Sequence, residues 1–237
     1  MQIQVGLQEN FEGRSLAWVL GYPGCFAYGP DGTAALMAVP PALLAYQEWI
    51  HQHSRQSWLQ DLGDFDVRLV EVWNTYRIND QYETAPEGRR VNAWFQHDWK
   101  PLLPEETQQG ALLMQWAHAD LLAVTQNLTA EQLDRPRSDQ RWTINGILEH
   151  VATSLTWLLE RLDLPADTPL SPMPANPTEH VQAMLVQFQI VLPDLANLER
   201  VTGKGGELWS PRKLLRRTVW HALDHRQHIL QILSSEV

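Results

Sequence analysis

The spacing of apolar residues shifts for good to that of helices near residue 100, and that shift limits the fold more than any other feature. Before it, the pattern is largely that of strands. Arg14-Ser15-Leu16-Ala17-Trp18-Val19-Leu20 alternates, which puts Leu16, Trp18 and Leu20 on one face that should be buried. Pro23-Gly24 makes a turn, Cys25 to Tyr28 reads as a short strand, and Pro30-Asp31-Gly32 is a second breaker. From Thr33 to His53 the spacing is helical, through Leu36, Val39, Leu43, Leu44, Tyr46 and Ile50, with Pro40-Pro41 delaying or kinking the helix. Val67 to Trp73 alternates again. The order β-β-β-α-β predicts a small α+β domain over residues 1–100, connector included.

After Lys100-Pro101-Leu102-Leu103-Pro104 the spacing is helical to the end, which predicts a second domain over 104–237. Four segments emerge, at about 105–127, 143–162, 177–201 and 211–234. Asn176-Pro177 and Ser210-Pro211 each offer a capping side chain followed by proline at the first helical position. Pro193 predicts a kink in the third helix. Gly203-Lys204-Gly205-Gly206 ends that helix and reads as a plain interhelical loop, because no strand precedes it and no Gly-Lys-Ser/Thr follows. Pro165 to Pro177 reads as a long crossing loop. Four amphipathic helices of this length predict an antiparallel four-helix bundle.

Charge and cysteine content narrow the function. In 237 residues, 18 Lys and Arg stand against 28 Asp and Glu, a net charge of −10 that argues against nucleic acid as the main partner. Arg212-Lys213 with Arg216-Arg217 is a local basic patch, expected to solvate the outer face of the fourth helix. The single cysteine, Cys25, cannot form an internal disulfide, and with no histidine or basic neighbour in sequence it reads as a small buried strand residue. No long apolar run suits a membrane span and no signal peptide is visible, so a cytoplasmic protein is expected.

The chemical signal lies in the fourth helix. Leu214, Thr218, His221, His225, His228 and Ile232 follow steps of 4, 3, 4, 3 and 4, the seam that faces a bundle core. His221 and His225 sit one turn apart, close enough for two ring nitrogens to reach one ion, whereas His228 is roughly 10 Å from His221 along the axis. The second helix carries the stripe Ile144, Ile147, Leu148, Val151, Leu155, Leu158 and Leu162, with His150 flanking it and able to look inward. Three imidazoles in an apolar seam cost about 1 to 3 kcal/mol for each unsatisfied polar group, and sharing an ion removes that penalty. His150, His221 and His225 are therefore the candidate metal ligands, in a three-histidine set that leaves positions open. His118 and His228 are expected to be hydrogen-bonded core or partly exposed residues, and His51, His53, His97 and His180 surface or helix-end residues.

Arg141-Trp142-Thr143-Ile144, Ile147-Leu148-Glu149-His150-Val151-Ala152 and the run from Leu215 through His221, His225 and His228 to Ile229 resemble the DinB-like superfamily of four-helix metal-binding proteins, over about residues 104–235. The resemblance assigns the ligands to His150, His221 and His225, and His225-Arg226-Gln227-His228-Ile229 resembles the family's His-Arg-Gly-Gln-Ile. Relatives often carry Ala-Glu-Trp-Trp-Tyr after the first histidine; Ser154-Leu155-Thr156-Trp157-Leu158 stands here without the acidic group. The front half, through Pro23-Gly24-Cys25-Phe26-Ala27-Tyr28-Gly29, is similar to HicB-like domains, which are related to antitoxins and carry no obvious catalytic set.

Imidazole suits Zn, Ni and Fe alike, so the expected cofactor is a divalent ion of that group. Such an ion lowers the pKa of a bound water or thiol. DinB-like relatives include thiol-dependent S-transferases and an isomerase, which implies a low-molecular-weight thiol and a small electrophile as partners, with a metal-dependent hydrolase as the related possibility. The resemblance also implies a homodimer. Trp142, Trp157 and Trp220 are candidates for the wall of an apolar pocket or for bundle core, and Asp224 for orienting a ligand imidazole or for an ordinary surface role. The opposing reading is a non-enzymatic binding or regulatory protein with a structural or vestigial metal site, whose HicB-like half contacts a protein partner.

Overall fold

The computed structural model describes residues 1–54, 62–163 and 174–235. The chain divides into two compact units, Met1–Lys100 with Gly203–Trp209, and Pro101–Thr202 with Ser210–Val237.

In the first unit, β1 (Gln2–Phe11), β2 (Arg14–Val19), β3 (Phe26–Gly29) and β4 (Asp66–Asn74) form one sheet in the order β3-β2-β1-β4. β1 runs antiparallel to β2 and parallel to β4. The chain reaches β4 through α1 (Gly32–Met37) and α2 (Val39–His53). The helix expected from Thr33 onward is thus two helices. Pro40 and Pro41 fall in the first turn of α2, where a missing N–H leaves no bond unmade.

Both faces of β2 are covered, which simple alternation does not predict. Leu16 and Trp18 are buried as expected, but Ala17 and Val19, pointing the opposite way, are buried too. On the helix side, Leu7 lies so close to Gly32 of α1 that a Cβ there would stand 2.7 Å from its Cδ2. On the other side, Gly6 lies under the Phe95 ring, 2.7 Å from where a Cβ would sit. Trp18, directly across from Gly6, donates its indole N–H to Gln8 Oε1 at 3.1 Å, and Gln8 donates in turn to Thr75 Oγ1 at 3.2 Å. The connector after residue 90 is therefore part of this core. Cys25 is buried beside β3, and burial pushes its thiol pKa up, as suits a packing residue. β5 (Arg77–Ile78) and β6 (Arg89–Arg90) form a small separate pair.

The second unit is helical: α3 (Pro104–Ala123), α4 (Ala130–Asp134), α5 (Ile144–Leu159), α6 (Pro177–Val191) and α7 (Pro211–Ser234). α3 packs against α6 and α7, and α5 against α6 and α7. Gly110 lets α3 approach α7 closely, since a Cβ there would lie 2.5 Å from Leu215. The starts of α5, α6 and α7 are capped by Thr143, Asn176 and Ser210, whose side chains accept from the amides of Gly146, Glu179 and Lys213.

Three expectations need correction. The third helix does not continue with a kink to residue 201; it stops at Val191 and passes into a 3-10 turn over Leu192–Leu195, because Pro193 has no N–H to donate. Gly203–Gly206 is not a plain loop but the turn of a hairpin between β7 (Thr202–Lys204) and β8 (Glu207–Trp209), with Gly205 and Gly206 at φ 59° and 71°. The basic patch does not solvate α7: Arg212, Lys213 and Arg216 are 8 %, 0 % and 3 % exposed. Arg212 donates to both Glu106 carboxylate oxygens at 2.7 and 2.6 Å and to the Pro101 carbonyl at 2.7 Å, so its charge is used inside the unit. The crossing loop expected from Pro165 to Pro177 lies largely outside the described residues. Among those residues, no helix is long and apolar enough to cross a membrane.

Gly29 offers the sharpest test of the first unit. A Cβ there would stand 2.2 Å from the backbone nitrogen of Ala35, which cannot move without displacing α1. Gly29→Ala is expected to destabilise by about 1–3 kcal/mol, read as a lower urea midpoint; an unchanged midpoint would contradict this packing.

Candidate metal site

α5 and α7 build the site. The apolar stripe of α5, Ile144, Ile147, Leu148, Val151, Leu155 and Leu158, is buried throughout, which fixes the rotation of the helix and leaves His150 on its flank. On α7 the buried seam runs Leu214, Thr218, His221, His225, Ile229 and Ile232. It passes to Ile229 instead of His228 because a straight helix at 3.6 residues per turn drifts away from a 3.5-residue repeat.

The rings of His150, His221 and His225 converge. His221 Nε2 lies 3.1 Å from His150 Nε2 and 3.1 Å from His225 Nε2. Each residue offers a ring nitrogen such that all three lie within 4.8 Å of one another. The ring planes stand steeply to one another, at 67°, 82° and 89°. His221 and His225 are each only 8 % exposed, and His150 is half-buried.

Elementary hydrogen-bond chemistry does not account for this contact. A neutral imidazole nitrogen carries one lone pair or one hydrogen, so His221 Nε2 can complete one well-directed bond and faces two neighbours. Three lone pairs aimed at one cation have no such conflict. Ligands at about 2.0–2.1 Å in tetrahedral directions stand roughly 3.3–3.4 Å apart, close to the separations here. The donor set therefore fits a divalent ion. It lacks one usual companion: among the described residues, the buried Nδ1 atoms of His221 and His225 meet no hydrogen-bond partner, where a metal-bound histidine commonly donates to a carboxylate or carbonyl. Asp224 thus does not orient either ring through Nδ1.

The surroundings keep the rings uncharged. Burial is the main cause of the lowered pKa at all three. His150 is further lowered by Arg141; His221 is held well below the usual histidine value, with His225, His150 and Arg217 adding to burial; His225 falls to about 3, with His150 and His228 adding. Neutral rings keep the lone pairs that a metal needs. Trp142 stacks on His150, centroids 4.7 Å apart and planes at 23°, which holds that ring in place. Spacing along α5 gave no signal for this, because Trp142 precedes the Thr143 cap and folds back over the helix. Arg141 lies 4.6 Å over the Trp142 ring and Arg217 4.2 Å over Trp220, so two cations flank the histidines. Trp220 is buried and Trp157 is 37 % exposed.

The other histidines are placed elsewhere. His228 Nε2 pairs with Gln140 Oε1 at 2.7 Å. His118 is fully buried on α3, its Nδ1 donating to the Met114 carbonyl at 2.7 Å, and is thus a core residue. His180 bonds Thr156 Oγ1 at 3.1 Å, while His51 and His53 end α2 and His97 sits in a 3-10 turn.

The family model described as the DinB superfamily matches residues 113–229. The C-terminal part of the chain is DinB-like. The match takes in all three converging histidines, and a divalent metal suits both the DinB-like part and its histidine cluster. No curated protein and no solved structure matches the chain.

His118, whose charge also bears on His221, supplies a pH test of burial in this unit. Burial lowers its pKa from 6.5 to about 4, so it takes up a proton in the unfolded chain before the folded one. Its contribution to stability is complete above about pH 6.5 and is lost as pH falls from there towards 4, by up to about 3 kcal/mol. In metal-stripped protein, His118→Leu should flatten the decline in urea stability across that window; an equally steep decline would contradict the burial of a neutral ring.

Proposed function

We propose that the second unit is a four-helix bundle in which His150, His221 and His225 hold one divalent ion, Zn, Ni or Fe, with positions left open, and that the protein is a metal-dependent enzyme. Its reaction is the transfer of a low-molecular-weight thiol to a small electrophile, or the related attack of water on such a substrate. The observation that carries this is the meeting of three neutral, largely buried imidazole nitrogens from two helices. When bound, the ion would supply Lewis acidity that makes a water or thiol a nucleophile near neutral pH. The chain's own residues do the rest. Capping by Thr143 and stacking by Trp142 set His150 against the α7 pair, and the buried seam fixes the two α7 rings one turn apart. Arg141 and Arg217 favour a reactant carrying negative charge, such as a thiolate or a carboxylate-bearing thiol, by lowering the free energy of the anion beside them.

A second reading is favoured by the absence of a partner for the two Nδ1 atoms: a structural or vestigial site, with a HicB-like first unit that contacts a protein. Metal analysis and thiol titration separate the two. Purified full-length protein should hold about one ion per chain, His221→Ala and His225→Ala should lose it, and His228→Ala should keep it. Unchanged metal content in His221→Ala would remove the site assignment. With Co in the site, an added thiol should shift the visible spectrum; an unchanged spectrum would favour the structural reading.

A further inference from the structure

The first unit contains an open cavity of about 320 Å³, within the range of small-ligand sites. It is lined by Trp73, Tyr76 and Trp94, with Asn92, Glu207 and Leu208. Trp73 and Tyr76 form one aromatic wall, centroids 5.7 Å apart and planes at 34°, and Trp94 is steadied edge-on by Trp99 at 5.1 Å. Glu207 is the acidic residue of the lining, and its side chain is 1 % exposed. Its Oε1 accepts from Arg89 at 3.2 Å and from Asn92 at 3.3 Å, and its Oε2 from Asn92 at 3.0 Å. Arg89 balances that carboxylate, with its Nη2 3.4 Å from where a Cβ on Gly206 would sit, so the aromatic rings are the lining's main means of attracting a cation.

We propose that this cavity binds a small organic cation of the quaternary ammonium class. Ring faces carry the negative side of the aromatic quadrupole and attract cations. The choice among cations follows from hydrogen bonding. A primary ammonium or a guanidinium brings N–H groups that need acceptors, and the Glu207 carboxylate, 1 % exposed and already holding three hydrogen bonds, gives a ligand little access to its oxygens. A quaternary ammonium has no N–H to satisfy and presents an apolar, positively charged surface to the rings. The Glu207 contacts also tie the β7–β8 hairpin to β6, which fits a preformed wall.

The test uses full-length protein with choline and its neutral isostere 3,3-dimethylbutan-1-ol. Choline should shift the indole N–H signals of Trp73 and Trp94 in nitrogen-correlated NMR spectra, and the isostere should need about tenfold higher concentration for the same shift. Trp73→Leu, and Tyr76→Leu as the variant at a partly exposed position, should each weaken choline binding by about three- to thirtyfold with dispersion of the spectrum retained. Equal binding of the isostere, no shift with choline at millimolar concentration, or undiminished choline binding in Tyr76→Leu would overturn the proposal.

Discussion

A ring nitrogen with a single lone pair faces two others at hydrogen-bond distance, and the second unit is organised around that conflict. His221 cannot satisfy both His150 and His225 as a neutral imidazole, and burial opposes its becoming charged. Repulsion among three uncharged nitrogens, two of them deeply buried, is relieved by one cation that accepts all three lone pairs. The packing that produces the conflict is ordinary: an apolar stripe on α5, a seam on α7, and caps that fix where each helix begins. The site inherits its position from hydrophobic burial and its chemistry from three substitutions of histidine into that burial.

The surroundings are tuned by burial and by cations. Arg141 and Arg217 lie near the cluster, and the Nδ1 atoms of His221 and His225 are buried without a hydrogen bond among the described residues; both features fit the open site proposed for electron-rich reactants. Elsewhere in the unit a cation meets the opposite fate: Arg212 is neutralised by Glu106 and becomes part of the interior. Burial alone therefore does not decide what a charged residue does; its partners do.

Much of this was legible from residue spacing. His221 and His225 fall one four-residue step apart on an apolar seam, and Pro177 and Pro211 behind capping side chains marked two helix starts to within a residue. The strands near Arg14–Leu20, Cys25–Tyr28 and Val67–Trp73 and the helical stretch between them also emerged from alternation and breakers, whereas β1 was given no residues. What escaped were features set by distant contacts. Ala17 and Val19 are buried because helices cover the face opposite Trp18, and a strand's own alternation cannot report what lies above it. Gly203–Gly206 became a hairpin because its short flanks pair with each other, where helical neighbours suggested a loop. The buried Arg212 and the Trp142 ring over His150 depend on residues far away in sequence or folded back across a cap. Seam drift explains why His228 lies outside the cluster although it shares the heptad pattern.

The central claim is that one cation is held by imidazoles from two helices. X-ray absorption at the metal edge, on full-length protein loaded with one equivalent of Zn or Co, addresses it directly. The outer-shell scattering should require three imidazoles, with the remaining ligands being light atoms; a spectrum that fits with one imidazole or none would contradict the account.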